Sequence, residues 1–157
     1  MEYRSWNQLI IPPNPAAGSS FSRKVPGETF ERAESFRYTL TTSAAVANRF
    51  PGISFLDGDG NIFLHVQSSV AVVANSTVNM NFFVTAGVMS FAATGDNIAV
   101  LPGLLLPPGF ALRADVAAMD AADAITLPKL FVCRYPSSQW AGSPGSTPYE
   151  PELGASA

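Results

Sequence analysis

The stretch ISFLDGDGNIFLHV, residues 53–66, is the part of the chain whose interpretation decides the fold. Its residues Asp57, Asp59 and Asn61 stand at alternate positions, as oxygen ligands do in an EF-hand calcium loop. Apolar residues also alternate on both sides of this loop, and two such runs joined by Asp, Gly and Asn are typical of a β-hairpin. The stretch is therefore either a calcium loop between helices or the tip of a hairpin.

The spacing of the residues favours the hairpin over the calcium loop. Counted from Asp57, the position that needs glycine in an EF-hand loop is Ile62, and the position that needs a bidentate carboxylate is Ser68. No helical pattern flanks the loop, whereas its glycines can adopt the positive φ angles of a tight turn. We predict a hairpin tip, and a single weak cation at Asp57 and Asp59 stays open as the alternative.

The same short alternation of apolar and polar residues recurs along most of the chain. It runs through residues 35–43, 79–87, 110–117 and 125–135, and no segment has the 3.6-residue period of a long helix. The run VAVVA at 70–74 predicts a short buried strand. Turn signals separate these runs, which predicts an all-β fold: an antiparallel, jelly-roll-like β-sandwich of about seven to nine strands.

Three shorter segments complete the secondary-structure prediction. Residues 88–94 and 97–103 each predict a further short strand. Residues 119–126 predict an acidic loop, and their alanine content leaves one helical turn open as an alternative.

The 157 residues predict one domain with an extended arm at each end. Residues 21–135 hold the predicted strands and form the β-sandwich domain. Residues 1–20 form the N-terminal arm, because three prolines interrupt regular structure there. Residues 136–157 are rich in Pro, Gly and Ser, which predicts an extended tail.

Large apolar side chains in the two arms are the main candidates for partner binding. The N-terminal arm is too apolar for a solvated linker, so we expect it to dock on its own domain or on a neighbour. A charged candidate, Arg49, precedes an apolar strand and would pair with an acidic loop residue or with a partner. The candidate partner-binding residues are Tyr3, Trp6, Ile10, Ile11, Arg49, Trp140 and Tyr149.

The composition excludes several classes of function. Charged residues make up 13% of the chain, about half of the usual share, so we expect partner subunits to cover much of the surface. A net charge of -3 argues against a nucleic-acid partner, which would need a basic patch. Prolines break the longest apolar stretch, residues 98–112, and the N-terminus shows no secretory signal, so no membrane partner is expected.

Few residues of the chain carry chemistry. Cys133 is the single cysteine, which excludes an internal disulfide and predicts a buried thiol in the last strand. His65 is the single histidine and should lie on the opposite face of its strand from Ile62, Leu64 and Val66. A zinc site or a catalytic triad would need partners that the sequence does not show, and turn chemistry explains the loop aspartates. We predict no enzyme activity, no metal site and no cofactor.

Four motifs follow one another in a recognisable order. They are LTTSAAVANR from Leu40 to Arg49, the DGDG turn from Asp57 to Asn61, LLLPPGFALR from Leu104 to Arg113 and an acidic loop from Asp120 to Asp123. In this order they resemble a family of small structural proteins of tailed bacteriophages. The resemblance covers roughly residues 26–135 and neither arm.

The resemblance implies a role in virion architecture, with no catalytic residue carried over. The expected role is a capsid decoration or cement protein that is assembled in the host cytoplasm. It would be a dimer or trimer that binds the major capsid protein at the capsid surface, with the arms clamping its neighbours. Leu104 to Leu106 would then cap the sandwich or line a subunit contact. Three alternatives stay open: a neck, tail or connector component, a host-surface glycan-binding module, and an enzyme acting on cell-wall sugars.

Overall fold

The computed structural model describes residues 5–84 and 96–137 of the chain. Within these ranges the chain forms ten β-strands and no α-helix, which confirms the predicted all-β fold. The strands are β1 (Trp6–Ile10), β2 (Ser22–Lys24), β3 (Thr29–Thr41), β4 (Phe50–Leu56), β5 (Ile62–Gln67), β6 (Thr77–Phe83), β7 (Asp96–Val100), β8 (Leu105–Leu106), β9 (Ala111–Ala117) and β10 (Ala124–Pro136). The number exceeds the prediction because β1 lies in the N-terminal stretch and because β2 and β8 are very short.

The strands form two sheets whose inner faces enclose one core. Sheet A has the strand order β1-β10-β3-β6-β7, and β8 also pairs with the beginning of β3. Sheet B has the order β2-β9-β4-β5. The paired strands are antiparallel apart from β6 and β7, which run parallel. The β-sandwich prediction is confirmed, with one parallel pair that the alternation of residues does not reveal.

Alternate residues of the central strands fill the space between the sheets. Phe36, Tyr38 and Leu40 on β3 have no exposed surface, and the same is true of Met80 and Phe82 on β6. The ring centroids of Phe36 and Tyr38 lie 5.5 Å apart, and those of Tyr38 and Phe82 lie 6.0 Å apart. Burial of one such side chain stabilises the fold by about 1.5–3 kcal/mol, so this aromatic layer is a major part of the core energy.

The hairpin predicted around residue 57 is confirmed. Strands β4 and β5 are antiparallel neighbours, and the loop between them closes on the side chain of Asp57. The Asp57 carboxylate accepts hydrogen bonds from the backbone N–H groups of Asn61 at 2.8 Å and Asp59 at 3.0 Å. Hydrogen bonds from Asn61, and then from the backbone of Asp59, lower the pKa of Asp57. The alternating Asp and Asn residues therefore serve turn geometry.

The N-terminal stretch docks on its own domain. Strand β1 pairs with β10, the Leu127 N–H donates to the Asn14 side chain at 2.8 Å, and the Gly18 N–H donates to the Asp123 carbonyl at 2.8 Å. Trp6–Ile10 are thus part of sheet A and not of an extended arm, because pairing with a remote strand supplies the hydrogen bonds that their local sequence does not predict. Residues 138–157 of the predicted tail lie outside the described ranges.

The prediction of a buried strand at residues 70–74 is wrong. Val72 is buried and forms a single β-bridge with Arg49, whereas Val70 and Val73 are exposed. An apolar run does not specify burial on its own, because burial here requires pairing with another segment. Of the two bulky neighbours and Val72, only Val72 forms such a pair, with Arg49.

The three shorter segments of the prediction have different outcomes. Residues 119–126 form turns and the start of β10, so the structure has the predicted loop and not the alternative helical turn. The strand predicted at 97–103 corresponds to β7, displaced toward the N-terminus. The strand predicted at 88–94 lies outside the described residues.

Candidate functional site

A buried ion pair joins the loop that contains Arg49 to the acidic loop that contains Asp123. Arg49 Nε donates to Asp123 Oδ2 at 2.9 Å, and Arg49 Nη2 donates to Asp123 Oδ1 at 3.2 Å. Neither side chain has any exposed surface. Two parallel N–H···O bonds are the strongest form of arginine–carboxylate pairing. Of the two predictions for Arg49, pairing with an acidic loop residue is confirmed.

The remaining hydrogen-bonding groups of this pair are also satisfied. The other guanidinium N–H groups donate to the carbonyls of Ala45 at 2.6 Å and Ala47 at 2.9 Å and to the Ser43 hydroxyl at 3.1 Å. The carboxylate of Asp123 accepts from the backbone N–H groups of Ser43 at 2.7 Å and Asp120 at 2.8 Å. Burial acts to raise the pKa of Asp123, but these hydrogen bonds and the arginine lower it to about 2. Such complete satisfaction is what lets two charges stay buried.

The buried position of Arg49 excludes it from the candidate partner-binding residues. A guanidinium without exposed surface, with every N–H group engaged inside the chain, has nothing left to offer a partner. We use the name Arg49 cluster for Ser43, Arg49, Asp120 and Asp123. The cluster holds two long loops together at one end of the sandwich, which makes it a structural element and not a chemical site.

A second buried carboxylate, Glu31, bridges the two sheets. Glu31 lies on β3 and accepts a hydrogen bond from Arg134 Nε of β10 at 2.6 Å. It also accepts two hydrogen bonds from Arg23 of β2, one of them from Nη2 at 2.9 Å. Since β2 belongs to sheet B and β3 to sheet A, the ion pair between Arg23 and Glu31 connects the two sheets. Glu31 is not among the residues predicted from the sequence, although an acidic residue in phase with the buried Ala33 of the same strand is a signal for it.

A serine, a histidine and an aspartate meet on sheet B, but not as a catalytic triad. Ser54 Oγ donates to Asp115 Oδ2 at 2.8 Å and lies 2.9 Å from His65 Nδ1. Because the single hydroxyl proton goes to the carboxylate, His65 must donate from Nδ1 to the serine oxygen. In a triad the histidine accepts the serine proton and the aspartate holds the histidine. Ser54 also has no exposed surface, so it is closed to a substrate.

The position of His65 agrees with the sequence prediction. Leu64 and Val66 pack against the core, and His65 is exposed on the other face of β5. Ile62, the third residue predicted to lie opposite His65, is 49% exposed at the start of the strand. We use the name Ser54 cluster for Ser54, His65 and Asp115, and Arg113 donates to its carboxylate at 2.8 Å. Partial burial acts to raise the pKa of Asp115, and hydrogen bonds from Arg113 and Ser54 lower it overall. The Ser54 cluster is therefore a row of polar side chains across strands β5, β4 and β9.

The three described partner-binding candidates of the N-terminal stretch, Trp6, Ile10 and Ile11, lie along one edge of sheet A. Trp6 on β1 is 42% exposed and Ile11, just after β1, is 65% exposed. Ile10 is half-buried and packs against the core. The structure thus places Trp6 and Ile11 at the surface and Ile10 partly in the core. The other three arm candidates, Tyr3, Trp140 and Tyr149, lie outside the described residues.

Two further apolar residues, which are not among the predicted partner-binding residues, lie at the same edge. Leu9 on β1 is 55% exposed and lies directly opposite the exposed Phe131 on β10. Ile10 and Leu130, the next pair, point to the other face, where Leu130 is buried in the core. Leu9 and Phe131 are therefore neighbours on the outer face of sheet A, which only the strand register reveals.

The Pro-Pro-Gly turn closes one end of the sandwich. Gly109 has a φ of 87° and donates its N–H to the carbonyl of Val25 at 3.1 Å. Leu106 is buried in the core and Leu104 packs against it. Two roles were predicted for these leucines, capping the sandwich or lining a subunit contact. Their contacts with the core are those of residues that cap the sandwich.

An open groove of about 450 Å³ lies between the N-terminal stretch and β2. Its walls include Ile10, Phe21 and the prolines at positions 12, 13 and 15. Arg23 also contributes, but its guanidinium is already paired with Glu31. The groove is thus an apolar surface feature without a free charged group to orient a ligand.

The other residues with chemical potential offer no open site. Cys133 is buried, as predicted. Among the residues that the structure describes, no group of three or more His, Cys, Asp or Glu side chains could hold a metal ion. In the same ranges, no helix is long and apolar enough to cross a membrane.

Comparison with known proteins yields distant structural neighbours. No protein-family profile and no curated protein sequence matches this chain. A chain of the infectious bursal disease virus particle aligns with 86% of this chain at 13% identity and a TM-score of 0.41, and one from the Gx strain of that virus aligns with 84% at 12% identity and a TM-score of 0.43. A mutant VP2 protein of the same virus gives 11% identity over 84%, with a TM-score of 0.39. This chain spans about a third of the length of those chains, 32–33%.

Proposed function

We propose that this protein is a structural component of a tailed-bacteriophage virion. Its role is that of a decoration protein that binds the major capsid protein and stabilises the head. It acts through surfaces and has no catalytic role. This assignment rests on the phage-protein resemblance of the four sequence motifs, combined with what those residues do in the fold.

The observation that carries the proposal is the contact between two of the motifs. The LTTSAAVANR motif supplies Ser43 and Arg49, and the acidic-loop motif supplies Asp120 and Asp123. Each motif taken alone is explained by turn chemistry. Together they form one cluster around a buried ion pair whose two charges depend on each other, so their joint occurrence in the family's order supports kinship with that family.

The distribution of charge also supports an assembling protein. Within the described ranges, five arginines form ion pairs with acidic residues of the same chain: Arg23, Arg32, Arg49, Arg113 and Arg134. Charged groups are thus used largely inside the chain, while large apolar side chains remain exposed along strand edges. A surface of this kind suits permanent contact with other subunits better than free solution.

The first test is the number of copies of this protein in purified particles, measured by quantitative mass spectrometry against the major capsid protein. A decoration protein occurs in hundreds of copies, at a simple fraction of the capsid count. About a dozen copies would favour the second candidate, a neck or tail component whose contacts form a ring. Absence from the particle would overturn the virion proposal.

A binding experiment then tests the arm. The full chain and a variant truncated after Ser137 are mixed with heads that lack the protein, and bound protein is measured after sedimentation. We expect loss of binding by the truncated variant, with an unchanged circular dichroism spectrum as the control for folding. Equal binding by both would show that residues 138–157 do not clamp the capsid.

A further inference from the structure

Strand β1 is an open edge of sheet A. Among the described residues β1 pairs only with β10, on one side, and its other side has no strand partner. An unpaired edge presents a row of backbone N–H and C=O groups that can pair with another strand. Trp6 and Leu9, both exposed on β1, add apolar side chains to this row.

The two edge strands of sheet B, β2 and β5, carry features that oppose pairing, and the other edge strand of sheet A, β7, begins with the charged residue Asp96. Strand β2 spans only three residues and contains both Arg23 and Lys24. The β5 edge follows a bulge in its pairing with β4 and carries His65. By contrast, the sequence has no charged residue between positions 5 and 22, and β1 itself contains no proline and no bulge. Natural edges are normally blocked by such devices, so an unblocked edge indicates a pairing site.

We infer that β1 pairs antiparallel with β1 of a second copy of this chain, about a two-fold axis at Gln8. The two copies of sheet A then form one continuous sheet. Trp6 lies opposite Ile10 of the second copy, Asn7 lies opposite Leu9, and the two Gln8 residues face each other. This inference does not depend on the virion role and would hold for any other function.

The length of the strand sets this register. Prolines at positions 12 and 13 follow β1 closely and cannot donate hydrogen bonds, so pairing is confined to about five residues centred on Gln8. Side chains alternate along a strand, so Trp6, Gln8 and Ile10 share one face. Ile10 already packs against the core, and Trp6 of the second copy would cover its exposed side. The register therefore extends the apolar core across the axis.

A second copy fits this edge better than an unrelated chain. The edge carries no charge with which to select an acidic or basic partner. In a two-fold arrangement the unpaired backbone groups of both β1 strands form hydrogen bonds with each other. The two strands also have the same length, because they belong to identical chains. Five residues bury less than the roughly 800 Å² per partner of a stable interface, so we expect a weak dimer that a larger assembly would strengthen through effective concentration.

Disulfide trapping at Gln8 tests the pairing. Residues directly opposite in an antiparallel pair have Cβ atoms about 4.5–5.5 Å apart, close to the distance that a disulfide needs. We expect Gln8→Cys to form a disulfide-linked dimer under mild oxidation at least tenfold faster than Asp59→Cys, at the exposed hairpin tip. The buried Cys133 is common to both proteins and serves as an internal control. Equal rates for the two variants would overturn the proposal.

Charge variants at the same position test the axis. Gln8→Lys and Gln8→Glu each place like charges directly opposite across the axis, so each variant alone should dimerise several-fold more weakly than the wild type in analytical ultracentrifugation. An equimolar mixture should recover a heterodimer, because the opposite charges then face each other. Gln8 is exposed, so both variants should keep the wild-type unfolding midpoint. A mixture that stays as monomeric as the separate variants would contradict the register.

Discussion

Arg49 and Asp123 are 74 positions apart in the chain, yet Arg49 Nε and Asp123 Oδ2 lie 2.9 Å apart in a site without solvent exposure. The pair closes one end of the sandwich by joining the loop before β4 to the loop before β10. The sequence left two possible partners for Arg49, an acidic loop residue or another subunit, and the structure joins it to Asp123 as one structural unit. The free energy of this unit depends on both partners, and this dependence can be measured.

Removing one partner of this pair should be strongly destabilising. We expect Arg49→Met or Asp123→Leu to lower the free energy of unfolding by about 3–5 kcal/mol, because each leaves a buried charge without a partner. The double variant should lose less than the sum of the two single variants, since it leaves neither charge behind. Urea unfolding of the four proteins gives the coupling energy directly. Simple additivity would show that the pair does not act as a unit.

The same pair should make stability depend on pH below about 4. The pKa of Asp123 is about 2 in the folded protein, against 3.8 for a free aspartate. A lowered folded pKa contributes stability that is complete above the unfolded pKa and is lost as the pH falls toward the folded pKa. The expected loss between pH 5 and pH 2 is about 2 kcal/mol. Asp123→Asn should lack this component, so the difference between the two unfolding curves, measured at each pH, isolates it.

Gly52 should tolerate no side chain, because β4 and β5 approach closely there. A Cβ atom on Gly52 would lie 2.6 Å from the Val66 carbonyl oxygen and 3.2 Å from the Gln67 Cα, which are both backbone atoms. We expect Gly52→Ala to cost about 1–3 kcal/mol of unfolding free energy by forcing the strands apart. Gly58→Ala is the matched control, since a Cβ there meets no atom within 4 Å. A similar midpoint for both variants would contradict the predicted clash.

Glu31 should contribute to stability by separating two arginines. In Glu31→Gln, the mostly buried Arg23 and Arg134 would keep their positive charges without the carboxylate between them. We expect a loss of about 2–3 kcal/mol in urea unfolding. Glu34→Gln, which removes a more exposed ion pair with Arg32, should cost less than about 1 kcal/mol. The reverse order of the two effects would refute the bridging role of Glu31.

The Ser54 cluster should be unreactive toward serine-directed reagents. Ser54 is buried, and its hydroxyl proton is donated to Asp115 and not to His65. A fluorophosphonate probe should therefore leave the native protein unlabelled in intact-mass spectra. Labelling that disappears in Ser54→Ala would reveal an open nucleophile and contradict the closed position of Ser54.

Local sequence was sufficient for the parts of the fold that depend on alternation and turn chemistry. Phe36, Tyr38 and Leu40 alternate with polar residues and are buried in the core, as the pattern indicates. The loop after Leu56 carries Asp, Gly and Asn at the positions of a hairpin tip, and it forms one. In both cases residues close together in the sequence are sufficient to predict the structure. Side chains in a strand alternate between its two faces, and a tight turn needs residues that can adopt particular φ angles.

Pairing between distant segments could not be read from the same signals. Val70 looks like a core residue in the sequence and is exposed, whereas Glu31 looks like a surface residue and is buried. Each outcome depends on which strand lies beside the residue: no strand covers Val70, and two arginines from other strands surround Glu31. The strand in the proline-rich N-terminal stretch was missed for the same reason, since β10 supplies its hydrogen bonds.

The sequence by itself determined the all-β class, the hairpin around Asp57, the buried Cys133 and the low surface charge. Tertiary structure alone decided that Arg49 pairs with Asp123 inside the chain and not with a partner, that Ser54 and His65 do not form a nucleophile, and that β1 is an edge strand of sheet A. The physical reason is the separation of the interacting residues along the chain. Secondary-structure propensity and alternation depend on a few neighbouring residues, whereas the burial of a charge and the pairing of an edge strand depend on segments that are far apart in the sequence.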